Sequence, residues 1–194
     1  MFRHLLVAVA TLACFQASQV FAQAAGNSAQ LLEEARKAAS GVPPKLLAVL
    51  GEEISKGGPE NAIDVCKEQA PKMAAAASAE TGWAIRRVSL KNRNPKAVPD
   101  AWERAVLEDF DKRNAAGEKP AVLEKGEIVA EGGKKFYRYM KALPTQDICL
   151  QCHGATDKLS PAVKAKLQEL YPQDKAVGYG LAEIRGAMTL KRPM

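Results

Sequence analysis

The sequence predicts an α+β fold, with helices first and an antiparallel sheet later. Three observations carry that reading. Apolar residues recur at helical spacing through the N-terminal half. Short strand-like runs separated by glycines follow residue 120. No strand–helix–strand alternation links them, so a parallel sheet is not expected.

The first element, residues 1–22, reads as a secretory leader. Arg3 supplies the positive start, and Leu5 to Phe15 forms an apolar run too short for a bilayer, which needs about 20 residues. Val20-Phe21-Ala22 offers a cleavage site, with Ala22-Gln23-Ala24 as a second. An N-terminal core helix is the bland alternative, but the segment lacks a polar face. Cys14 follows Thr11-Leu12-Ala13, a poor lipidation signal. The expected location is the periplasm, with no membrane span in the mature protein and residues 23–194 as one domain.

Helices are expected over residues 28–39 and 45–56, broken by Gly41 to Pro44. Pro59 suits the first position of the next helix, which should run to about Glu80 and stop at Gly82. Ala62, Cys66, Ala70, Met73 and Ala77 share one face of it. Pro71 should kink or split that helix just after Cys66 to Ala70. Trp83 to Leu90 has strand character. Asp100 can cap a helix from Ala101 to Ala116, with Trp102, Ala105, Val106 and Phe110 inward. Strand-like runs follow at 121–125, 127–130 and 134–142, with Gly132-Gly133 as a hairpin signal. A helix over 161–170 and a last strand over 181–190 complete the outline.

Composition excludes some classes. Hydrophobic residues make up 47% and charged residues 26%, which is globular rather than disordered. The formal charge of +6 is spread over short clusters such as Arg86-Arg87 and Lys134-Lys135. A nucleic-acid binder would more often show one dense basic stripe with aromatics, so no nucleic-acid partner is expected.

Chemistry resides in the scarce residues. The whole sequence has 4 cysteines and 2 histidines. Loss of the leader removes Cys14 and His4, leaving Cys66, Cys149, Cys152 and His153. An odd cysteine number in an exported protein needs an explanation. Cys149-Leu150-Gln151-Cys152-His153 is a C-x-x-C-H motif, the attachment signature of c-type haem. Two cysteines on one helical turn reach the two vinyl groups of one porphyrin, and the next histidine can ligate its iron. One covalent haem c per chain is therefore expected. A redox disulfide would more often follow the first strand of a βαβ unit. A zinc site would require adjacent residues, Cys152 and His153, to close on one ion.

No second histidine remains for the other side of the iron. Cys66, a methionine (Met73, Met140, Met188 or Met194) and an open position all remain candidates. A buried cysteine on a helix face is often only a small hydrophobe. Arg86, Arg87 and Arg138 are candidates to meet haem carboxylates or to keep a thiolate charged. Trp83, Trp102, Phe136 and Tyr139 are candidates to pack near the ring, although aromatics are more often ordinary core.

Several stretches also carry a resemblance. They are 62–66, 85–91 with Arg93-Asn94-Pro95, 99–103, 138–141, 149–154, Tyr171-Pro172 with Asp174, Ala176, Gly178 and Tyr179, and 184–187. Together they resemble a single-domain c-type haem family of PAS-like fold, formerly a domain of unknown function. The resemblance covers nearly all of residues 23–194, in order. It implies a PAS-like fold and iron held between His153 and Cys66.

Two functions follow as expectations. One is a redox or small-ligand sensing module, with a diatomic gas as a possible ligand and a separate signalling or redox protein as partner. The other is a small periplasmic electron-transfer cytochrome. An enzyme is not expected, because His153 is the lone histidine after leader removal and already a ligand. A four-helix cytochrome is disfavoured by the strand-like region and by the long stretch after His153.

Overall fold

The computed structural model describes residues 5–194, with side chains from Asn27 onward. The leader expected over residues 1–22 falls outside the residues whose side chains are described. The chain divides into a short unit, Met1–Glu34, and a larger one, Ala35–Met194. Among the described residues, no helix is long and apolar enough to cross a membrane.

The first helix, α1 (Leu5–Gly57), runs through Pro43 and Pro44, where a break was expected. Those prolines leave the carbonyls of Ala39 and Ser40 without their helical donors. Ala38, Ala39 and Val42 are nevertheless buried around them, and Ser40 and Gly41 face outward. One continuous buried face thus outweighs the local penalty. Arg36 ties this helix to the later sheet through Glu124, at 2.5 Å.

The next helix is split where Pro71 predicts. It comprises α2 (Pro59–Asp64), a π turn (Val65–Gln69) and α3 (Ala70–Thr81). The Ala70 N–H donates to Val65 O, one residue further back than in an α-helix. Pro71 has no N–H to restore the ordinary pattern with Lys67 O. Cys66 therefore lies inside the π turn, a geometry frequent at functional sites. Gly82 ends α3 in the left-handed region, as expected.

Four strands form one antiparallel sheet: β1 (Ala84–Val88), β2 (Glu124–Glu131), β3 (Lys134–Pro144) and β4 (Ile184–Pro193). Their order is β1-β4-β3-β2. Two expected strand runs merge into β2, because Gly126 stays in register opposite Tyr139. Gly132 and Gly133, with φ of 57° and 77°, make the hairpin turn to β3. The C-terminal strand is central, so Ile184 to Leu190 is buried throughout.

Gly186 makes the β1–β4 approach possible. Its φ is +150°, and a Cβ there would come within 2.3 Å of Val88 O. Gly186→Ala should destabilise the fold by about 1–3 kcal/mol from backbone strain, before the clash with β1 is counted. Urea denaturation measures this, and an unchanged midpoint would refute it.

Helix α4 (Ala101–Ala115) starts with a complete capping box between Asp100 and Glu103. Val106 and Phe110 are buried as expected, but Ala105 is exposed and Leu107 and Glu103 turn inward. Val106, Leu107 and Phe110 pack with Val88, Met140 and Ala187 of the sheet. A second cluster joins Ile63 of α2 to Leu159 and to Val163, Leu167 and Tyr171 around α6 (Pro161–Leu170). The motif helix, α5 (Asp147–His153), directly follows β3.

Candidate functional site

The end of β3 aims α5 at the site. Beyond Pro144, the Thr145 N–H donates to Glu183 O at 2.8 Å, which fixes the exit of the strand beside β4. The helix is a short turn, and Cys149 and Cys152, three apart, lie on neighbouring positions of one face. Gly154 follows because a Cβ there would meet Leu150 O at 2.6 Å.

Cys149, Cys152, His153 and Cys66 all line one apolar cavity of about 260 Å³, walled by Leu46, Leu47, Ile148 and Met188 among others. Cys66 and His153 also line an adjoining cavity of about 820 Å³, whose walls include Arg87, Arg93, Arg185 and Tyr171. The structure therefore brings together the four residues expected from the sequence. Among the described residues, Cys66, Cys149 and Cys152 are free thiols. Among the described residues, no three His, Cys, Asp or Glu side chains form a group that could hold a metal ion.

The tautomer of His153 follows from its neighbours. Its Nδ1 lies 2.7 Å from Ala176 O, which can only accept, so Nδ1 carries the proton. Arg185 Nε lies 3.1 Å from the same nitrogen. A protonated Nδ1 has no lone pair to receive that N–H, so the shorter contact decides the assignment. Nε2 keeps its lone pair for a metal. Burial, followed by Arg185 and Arg93, holds the imidazole pKa well below its ordinary value despite the Ala176 carbonyl. The ring is therefore neutral at neutral pH.

Burial pushes the Cys66 thiol up, opposed by Arg87, Arg93 and Arg185. Burial likewise moves the Cys152 thiol to about 11, opposed first by Arg93. Arg185 itself is pushed down to about 9 by burial and by Arg87. Arg185 hydrogen-bonds Ser89 Oγ and Lys91 O but meets no carboxylate among the described residues. Burial also lowers Arg87, which has no hydrogen-bond or ion-pair partner among the described residues.

Of the three arginines singled out from the sequence, only Arg87 is available to an anionic group. Arg86 pairs with Glu103, and Arg138 is held by Asp100, Glu103 and Glu131. The aromatic candidates are also elsewhere. Trp83 packs edge-on against Tyr137, and Trp102 lies under Arg138. Phe136 lies under Lys191, and the Tyr139 hydroxyl donates to Glu124. Tyr171 lines the larger cavity instead, and Tyr179 packs edge-on against His153. The sequence reading assigned no role to Arg93 or Arg185. Arg185 had a signal, a charge interrupting the apolar run from Ile184 to Ala187.

This donor set fits a c-type haem. The smaller cavity is apolar around the two motif cysteines, as a porphyrin's hydrocarbon edge requires. Arg87 and Arg185 line both cavities and suit the porphyrin's two carboxylates. The Tll0287-like family matches residues 15–193 of the chain.

The chain belongs to the Tll0287-like family.

The chain is also similar to a solved structure, the crystal structure of the cyanobacterial haem-protein Tll0287. The two share 26% identity with a TM-score of 0.59, over 87% of this chain and 96% of that one. No curated protein matches. The Tll0287-like assignment and this structural match agree with the expected c-type haem family and with the α+β architecture.

Proposed function

We propose that this member of the Tll0287-like family is an exported monohaem c-type protein acting as a redox or small-ligand sensing module. Cys149 and Cys152 would form the two thioethers, each Sγ–H adding across a vinyl group without net oxidation. His153 Nε2 and Cys66 Sγ would hold the iron, and Arg87 and Arg185 would face the carboxylates. When bound, the group supplies a one-electron ferric–ferrous couple and a site for diatomic gases. One observation carries this reading. Cys66 and His153 line the same two adjoining cavities, beside the motif cysteines.

Sensing is favoured over catalysis and simple transfer by the position of Cys66. It sits in a π turn between two helical segments, where a change of ligand can alter the local hydrogen-bond register. A thiolate also favours the ferric state, so reduction weakens its hold. A separate redox or signalling protein would receive the change. Electron transfer is the second reading, favoured by the partial exposure of Cys149 and Cys152 at the motif edge.

The test is expression of the full chain with haem-maturation machinery in the periplasm. One covalent haem per chain is expected, with a low-spin ferric spectrum. CO should bind the reduced form and displace Cys66. Absence of covalent haem would overturn the proposal. A reduced form that keeps both ligands and refuses CO would favour the electron carrier.

A further inference from the structure

The loop that meets His153 is held by a buried ion pair distant from it in sequence. Arg93, in the loop after β1, donates through Nε to Asp174 Oδ2 at 3.0 Å, and its Nη2 lies 2.9 Å from the same oxygen. The two side chains are only 6% and 10% exposed. The same Nη2 donates to Cys152 O at 2.6 Å and reaches Ala176 O at 3.3 Å. Asp174 Oδ1 in turn accepts the Ala176 N–H at 2.8 Å. Ala176 O is the acceptor for His153 Nδ1–H.

The geometry points to Asp174, tied by Arg93, as the positioning residue for His153, setting its strength as an iron donor and hence the reduction potential. This rests on the haem reading above. Asp174 holds Ala176 in place through its N–H and keeps Arg93 engaged, so that Arg93 only weakly contests the Ala176 carbonyl. A strong Nδ1–H···O bond makes the imidazole a better donor and favours Fe(III). Without the Asp174 charge, Arg93 becomes an unpaired buried cation beside the site. It would then turn further onto Ala176 O and compete with His153. Both changes disfavour Fe(III), so they act in one direction.

The experiment compares wild type with Asp174→Asn in the full haem-loaded chain. Asp109→Asn is the exposed control, remote in sequence and paired with Arg113. Asp174→Asn should retain one covalent haem per chain and shift the ferrous/ferric ratio at fixed potential about tenfold toward ferrous. That is about 59 mV for a one-electron couple. Ferric EPR g-values should move with it, and Asp109→Asn should move neither. A tie that only stabilised the loop would lower the melting temperature and leave potential and g-values in place. That result overturns the inference and leaves the haem reading standing. A wild-type chain that takes up no haem overturns the haem reading itself. If Asp174→Asn does not fold, Arg93→Lys decides. It keeps the charge but loses the fork that braces Asp174 against the Ala176 N–H, so the carbonyl is held less firmly and the potential should shift the same way by less. No shift there overturns the inference.

Discussion

Cys66→Ala in the haem-loaded protein is expected to keep one covalent haem per chain and lose the low-spin ferric spectrum. In the proposed reading, attachment would rest on Cys149 and Cys152, which lie on α5, whereas Cys66 lies in the π turn before α3. If Cys66 and His153 hold the iron as proposed, removing Cys66 would leave His153 as its one protein ligand, and a high-spin signal is expected. The potential should rise by about 100 mV or more, the direction in which losing a thiolate moves iron centres. EPR and a redox titration read both effects. Met188 lines the smaller cavity with Cys66 and would be the competing ligand. An unchanged low-spin signal in Cys66→Ala, with loss of it in Met188→Leu, would transfer the axial position to the methionine.

The largest stability loss is expected at Glu103. Only 2% exposed, its carboxylate takes Arg86, Arg138 at 3.2 Å, Thr189 Oγ1 at 2.9 Å and the Asp100 N–H at 2.8 Å. It thereby joins α4, β1, β3 and β4 at one buried point. Breaking a buried ion pair by removing one partner costs about 3–5 kcal/mol, and Glu103→Ala also strips the buried Thr189 hydroxyl and the Asp100 N–H of their acceptor. Arg138 keeps Asp100 and Glu131, whereas Arg86 loses its carboxylate partner and keeps only the Lys96 and Val98 carbonyls. In a protein of this size the loss lowers the melting temperature by about 10 °C. Glu103→Ala should show the full effect and Glu103→Gln a smaller one, measured by thermal and urea unfolding. A Glu103→Ala midpoint equal to wild type would refute the role given to this network. Covalent attachment through α5 should persist in the folded fraction.

Much of the local structure was legible. Gly132-Gly133 marked the hairpin because two successive positive φ angles suit glycine. Asp100 and Glu103 spelled out their capping box, and Pro71 marked the split beside Cys66. Each of these signals acts within a few residues of itself. Pro43-Pro44 misled for the same reason: the local penalty was readable, but the burial of Ala38, Ala39 and Val42 that outweighs it was not.

By itself, then, the sequence determined the α+β class and the motif at Cys149 to His153. Contiguous spacing carries that information. Only the tertiary structure decided that β4 lies between β1 and β3. It also decided which arginines are spent on carboxylates, Arg86 and Arg138, and which pair with none among the described residues, Arg87 and Arg185. An arginine's role depends on the charge it meets across the fold. Arg93 meets Asp174 81 positions away, and Arg138 meets Asp100 38 positions away. Pairings over such separations are set by chain packing, which no local pattern records.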